Sequence, residues 1–175
     1  KLAEESMGDV GSKHILLIGT GEIAGLVAKS LNKKSYAFDV TSMTIERANG
    51  FSKIFSGNPI EFGGVLPELD KFDIIFVATT ADTFLITFDK INRVMKKKKK
   101  GTLMMDLSDP RTVDEKVATI PGIKLVNPAQ IAEMVEDSTK ARKSAISTAE
   151  ETIKEELPVI EATMKQLGSE SLVKA

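Results

Sequence analysis

The stretch HILLIGTGEIAGLVAKSL, residues 14–31, decides the fold. His14 to Ile18 is a compact apolar run that stops at Gly19-Thr20-Gly21, after which Ile23, Leu26, Val27, Ser30 and Leu31 recur at helical spacing. That order is strand, tight turn, helix. The turn reads Gly19-Thr20-Gly21-Glu22-Ile23-Ala24, the pattern GxGxxA, with Gly25 one place on. The first glycine permits the sharp turn, the second lets the backbone approach a pyrophosphate, and the small third residue lets helix pack on strand. Free amides at the helix start then face the anion. Such a turn is common by itself. Behind an apolar strand, at the head of a helix and in the first unit of its kind, it points to dinucleotide binding.

Working outward, a second apolar run spans Tyr36 to Val40, followed by Thr41-Ser42-Met43-Thr44 and a helix to about Phe55 that Asn49-Gly50 weakens in its middle. Further strands are expected at Ile60 to Phe62, Ile74 to Ala78, Leu103 to Leu107 and Ile123 to Val126. Continuous apolar runs of this kind suit strands covered on both faces, the mark of a parallel sheet between helices. The fold class is therefore α/β: a doubly wound, mainly parallel Rossmann sheet of about six strands, followed by a long C-terminal helix. The lysine run Lys96 to Lys100 reads as the solvated end of a helix before Gly101, with a contact to a nucleic-acid backbone as the alternative.

From Asn127 the character changes. Asn127 is placed to cap, Pro128 stands at the first helical position and Gln130 at the capping-box position, opening a segment without a breaker to Leu157. Ile131, Met134, Val135, Ala141, Ala145, Ile146, Ala149, Ile153 and Leu157 form an apolar stripe on it. Thirty residues of helix reach about 45 Å, so part of it is expected to project and seek a partner surface. Pro158 is expected to kink or end it, leaving a frayed tail. The expected division is a linker segment at 1–13, a dinucleotide-binding domain at 14–127, the long helix at 128–157 and the start of a further region at 158–175.

Composition narrows the chemistry. The chain has 175 residues, 42% of them hydrophobic, enough for one domain plus an appendage. Its 24 basic and 25 acidic residues nearly cancel, so no net field favours nucleic acid or anionic lipid. With no Cys and one His, thiolate nucleophiles, disulfides and the usual zinc sets are excluded. No metal site is expected. No apolar run approaches the roughly 20 residues of a membrane helix and nothing reads as a signal peptide, so a cytoplasmic protein with no membrane contact is expected. The opening at Lys1 reads as a piece of a longer chain.

Which dinucleotide binds depends on the end of the second strand, where an acidic residue roughly 20 positions past the glycines would hold the ribose of NAD. Asp39 is at that distance but is placed inside the strand; the tip carries Thr41, Ser42 and Thr44, with Arg47 one turn into the helix. Hydroxyls, helix-start amides and an arginine suit a 2'-phosphate, which favours NADP, with Asp39 as the NAD counter-reading. After the fourth strand, Thr79, Thr80 and Ala81 stand at the carboxyl edge, where the crevice is expected. Ser108-Asp109-Pro110-Arg111 comes after the fifth strand and could border the nicotinamide, whereas His14 opens the first strand at the opposite edge.

HILLIGTGEIAGLVAKSL, then TIERA, DIIFVATTA and LMMDLSDPRTVDEKV, then the long helix, resemble in order and spacing the NADPH-binding domain of glutamyl-tRNA reductases, from about His14 to Glu156. Asp106, Pro110 and Arg111 are the most specific part of the likeness. The resemblance implies an enzyme of tetrapyrrole biosynthesis that reduces the glutamyl group of glutamyl-tRNA to glutamate semialdehyde. In that family a cysteine in a separate N-terminal domain forms the thioester, NADPH on the Rossmann domain supplies hydride, and a spinal helix leads to a dimerisation domain. The whole enzyme is thus expected to be a homodimer, and this chain, lacking that cysteine, to be inactive alone. Its expected cofactor-binding residues are Gly19, Thr20, Gly21, Glu22, Ile23, Ser42, Met43, Thr44, Arg47, Thr79, Thr80 and Ala81, with no catalytic residue.

The sequence departs from the family where an Asn-Arg-Thr stretch usually comes after the second strand: Ser42-Met43-Thr44 stands there, shifting the phosphate contact to Ser42, Thr44 and Arg47. Ser108-Asp109 also replaces a more apolar pair. Two other readings stay open. One is a dehydrogenase similar to those acting on precorrin-2, which would need Asp106 or Asp109 as acid or base. The other is a non-catalytic nucleotide-sensing or scaffold module docking through its long helix.

Overall fold

Six short strands line up in one all-parallel sheet in the order β3-β2-β1-β4-β5-β6: β1 (Ile15–Ile18), β2 (Asp39–Thr41), β3 (Asn58–Pro59), β4 (Ile74–Val77), β5 (Thr102–Asp106) and β6 (Ile123–Val126). This is the doubly wound order of a Rossmann sheet. The computed structural model describes residues 2–98, 100–133, 136–137, 139–141, 143–144, 146–149, 153–154 and 156–158. All four residues of β1 are buried, because both faces of the central strand are covered.

Register sorts the side chains between the faces. Leu16 pairs with Ile75 and Ile75 with Met104, so these three share a face, packed with Leu69, Ile91, Met95 and Val117 in the main core. Leu17, Phe76 and Met105 share the other. There α2 (Glu22–Lys33) turns Ala24, Gly25, Ala28 and Leu31 inward, and these mostly small side chains allow close packing. α3 (Ile45–Phe55) is capped by Thr44 and runs unbroken through Asn49-Gly50. The other described helices are α1 (Leu2–Met7), α4 (Phe62–Val65), α5 (Phe88–Met95), three short 3-10 turns (Val10–Ser12, Leu66–Lys71 and Glu115–Thr119) and the helical residues beyond Asn127.

Three expectations change. The third strand is Asn58–Pro59 rather than Ile60 to Phe62: the amides of Asn58 and Ile60 donate to the carbonyls of Phe38 and Val40, and Phe62 already opens α4. Proline sits there without cost because β3 is an edge strand. The second strand begins at Asp39, not Tyr36. The segment before β1 carries α1, fastened where Glu4 accepts from Lys34 and, at 3.0 Å, from the Tyr36 hydroxyl. These bonds, that with Lys34 first, hold the Glu4 carboxyl down at about 2.

The lysine run is not uniformly solvated. Lys98 Nζ is buried and donates to the carbonyls of Asp70 (3.0 Å) and Phe72 (2.8 Å) and to Asp73 Oδ1 (3.0 Å). It satisfies the open end of the 3-10 turn Leu66–Lys71 rather than the end of its own helix. Burial raises the Asp73 carboxyl, but the Lys98 hydrogen bond and charge, with the His14 amide, outweigh it and leave the group below its ordinary value of 3.8.

The capping box after β6 forms as expected: Gln130 N donates to Asn127 Oδ1 and Asn127 N to Gln130 Oε1, each at 3.0 Å. Residues Lys1–Gln130 make one compact unit and Ile131–Ala175 a second. The described residues from 131 to 158, Pro158 included, are helical. The expected continuous helix to Leu157 lies partly outside the described residues, as do Met134, Val135 and Ala145 of its stripe and the tail after Pro158.

Candidate functional site

The chain leaves β3 at one edge of the sheet and returns to β4 beside β1, so the strand order reverses between β1 and β4. At their carboxyl ends the loops diverge and a cleft of about 220 Å³ opens. Its lining is Ile18, Gly19, Thr20 and Gly21 from the first turn, Ser42, Met43 and Arg47 from the second, Ala78 to Ala81 and Leu85 after β4, and Phe62.

Gly19 makes the turn possible. Its φ is +120°, and a Cβ there would lie 1.9 Å from the carbonyl oxygen of Ala78. The amides of Gly19 and Ala78 donate to Thr41 and Ile18 at 2.8 Å each, continuing the sheet into the turn. Gly21 is different: its φ is −81° and a Cβ would meet nothing within 4 Å. The fold does not require glycine there. Gly21 caps α2 with no side-chain bond, which leaves first-turn amides at the cleft without an intrahelical partner. Thr20 Oγ1 and Ser42 Oγ lie 3.2 Å apart, tying the first turn to the second.

Nine of the twelve expected cofactor residues line this cleft: Gly19, Thr20, Gly21, Ser42, Met43, Arg47, Thr79, Thr80 and Ala81. Glu22 lines a neighbouring groove of about 530 Å³ between α2 and α3, shared with Thr20, Gly21 and Arg47 and otherwise walled mainly by Leu26, Phe51, Ile54 and Phe55. That groove is larger, but it runs between two helices rather than over the strand ends. Ile23 and Thr44 line neither. Ile23 is exposed, and the Thr44 hydroxyl accepts from Arg47 N at 3.4 Å, holding the start of α3 and hence the base of Arg47. Phe62, at the start of α4, and Leu85, in the loop after β4, are the two lining residues that sequence reasoning missed; both reach the cleft through the packing of segments distant in the chain.

Asp39 opens β2 beside Leu16, two residues short of the edge where Thr41 pairs Ile18, and its carboxylate accepts from Asn58 Nδ2 at 2.7 Å. It sits below the cleft. His14 precedes β1 at the opposite end of the sheet. After β5, Arg111 is paired with Glu115, and Asp106 is buried with Ser108 N (3.1 Å), Thr112 N (3.0 Å) and Val113 N (2.9 Å) donating to it. Through these three amides the Asp106 carboxylate organises the loop after β5. Among the described residues no cluster of three or more potential metal ligands occurs, and no helix is long and apolar enough to cross a membrane.

The family described as shikimate / quinate 5-dehydrogenase matches residues 1–134. A glutamyl-tRNA reductase of Cenarchaeum symbiosum (strain A) is 48% identical over 175 residues, covering 100% of this chain and 42% of its own length. One from Methanococcus aeolicus is 34% identical, covering 99% and 44%. Among solved structures, the glutamyl-tRNA reductase from Methanopyrus kandleri superposes with a TM-score of 0.77 at 28% identity, over 98% of this chain and 44% of that one. The nucleotide-binding domain of the Thermoplasma volcanium enzyme gives 0.63 at 18% identity, over 81% and 94%, a likeness of fold. The resemblance expected from the sequence is borne out, and the chain spans less than half the length of the curated relatives it matches.

Proposed function

The chain belongs to the shikimate / quinate 5-dehydrogenase family, and from that premise, with its likeness to glutamyl-tRNA reductases, we propose that it is the NADPH-binding part of such a reductase. The observation that carries the reading is Gly21, whose missing Cβ leaves open space at the mouth of the cleft although nothing in the fold needs glycine there. A pyrophosphate fits that opening, against the uncapped first-turn amides of α2. Ser42, Thr20 and Arg47 on the β2 side are the donors suited to a 2'-phosphate, with Thr44 fixing the start of α3. Met43 supplies an apolar surface and no charge. Asp39 is engaged elsewhere, which favours NADPH over NADH.

When bound, NADPH supplies hydride; this chain's residues bind and orient it. In this reading residues 14–127 are the nucleotide domain, 128–157 begin a spinal helix, and a cysteine outside this chain holds the glutamyl group as a thioester. Glutamyl-tRNA as substrate, a cytoplasmic setting, a role in tetrapyrrole biosynthesis and a homodimeric whole enzyme all belong to the proposal. For the precorrin-2-type alternative, Asp106 is consumed by its own loop, which leaves Asp109 as the acid or base it would need.

Parallel calorimetric titrations with NADPH and NADH test the reading. Tighter NADPH binding that falls about tenfold in Arg47→Ala, the scale of one charge-assisted hydrogen bond, supports it. Equal affinity for both nucleotides, unchanged in Arg47→Ala, contradicts the phosphate assignment.

A further inference from the structure

The wall of the cleft on the β4 side stands on a buried polar group that the nucleotide reading does not use. Ser108 is 3% exposed, and its hydroxyl is fully committed: it accepts from Thr79 N (3.2 Å) and Thr112 Oγ1 (2.9 Å) and donates to the carbonyl of Val77 (3.4 Å). One donor and two acceptor positions are all a hydroxyl has, so its orientation is fixed. Thr112 is fully buried, and its carbonyl accepts from Leu85 N (2.8 Å) and Ile86 N (3.2 Å). Both are held in turn by the Asp106 carboxylate, through the amides of Ser108 and Thr112. Segment 79–86 is thereby clamped at both ends by the loop after β5, and it presents Thr79, Thr80, Ala81 and Leu85 to the cleft.

We propose that Asp106, Ser108 and Thr112 are positioning residues that fix the β4-side wall and so set where the nicotinamide half of the dinucleotide lies. The inference rests on the dinucleotide reading. A dinucleotide crosses the sheet where strand order reverses, so with its adenosine half beside β2 its nicotinamide half lies over β4 and β5. The charge on Asp106 has a reason in this arrangement. Three amides converge on its two oxygens; an asparagine offers one oxygen and turns an NH2 group toward at least one of those donors. A buried carboxylate is costly unless so bonded, and its place here is to hold two loops in one geometry.

The test compares two ligands on the wild-type chain and on Ser108→Ala: NADPH, and adenosine 2',5'-bisphosphate, which has the adenosine half alone. Ser108→Ala is expected to weaken NADPH about tenfold, the effect of one misplaced hydrogen-bonding wall, to change the bisphosphate by less than about twofold, and to abolish the change in nicotinamide fluorescence on binding. Equal weakening of both ligands, or of neither, overturns the proposal. Wild-type chain that binds neither overturns the cofactor reading itself, which separates the two failures. Should Ser108→Ala not fold, Thr112→Val, which keeps the Thr79 bond but frees one side of Ser108, is expected to show the same selectivity at smaller amplitude; loss of both ligands together overturns it there too.

Discussion

The two ends of the sheet use similar groups in opposite ways. At the carboxyl end, backbone amides and hydroxyls border an open cleft, and Gly21 leaves room there that the fold does not fill. At the amino end, Lys98, Asp73 and the His14 amide close on one another and on the carbonyls of Asp70 and Phe72. Polar groups with unused capacity at one end and satisfied ones at the other separate a surface for a ligand from a surface for stability. Substitutions at the amino end should therefore move stability alone, and most at the carboxyl end binding alone.

Gly19→Ala should break the comparison most strongly, because Gly19 stands at the carboxyl end yet serves the fold. With φ at +120° and the Ala78 carbonyl in the way, the variant is expected to lose about 3 kcal/mol or more in urea unfolding, and nucleotide binding with it. Next in size, Lys98→Met removes a nearly buried cation from a carboxylate and two carbonyls. A loss of about 2 kcal/mol is expected, with NADPH affinity unchanged.

The same pair sharpens the contrast through pH. The Asp73 carboxyl is lower in the folded chain than its ordinary 3.8. Its contribution is therefore fully present above that value and lost as pH falls through the lower folded value, since the unfolded chain then binds more protons. Stability measured from pH 5 downward should fall in the wild type and fall less steeply in Lys98→Met. The smallest stability effect is expected at Gly21→Ala, under about 1 kcal/mol, because the added Cβ meets open space at ordinary φ.

Legibility in the sequence divides along similar lines. The glycine turn, the strand at Ile15–Ile18 and the capping box at Asn127 are local: a few adjacent residues carry the whole physical reason. So is the series of apolar runs, whose continuity already implied a sheet covered on both faces. Asn58–Pro59 was missed because an edge strand is defined by its partner's free carbonyls at Phe38 and Val40, not by its own hydrophobicity. Lys98 was missed for a related reason: its role is set by carbonyls 26 and 28 residues away, invisible in a run of lysines. At the site, Phe62 and Leu85 reach the cleft only through the packing of distant segments.

The central claim is that a nicotinamide dinucleotide lies in the cleft with its pyrophosphate against Gly21, and a titration of NADPH into wild-type and Gly21→Ala chains, with the unfolding midpoint of each, tests it most directly. The account predicts saturable binding to the wild type and at least about a tenfold loss in Gly21→Ala at a nearly unchanged midpoint. Undiminished binding to Gly21→Ala, or none by the wild type, would contradict it.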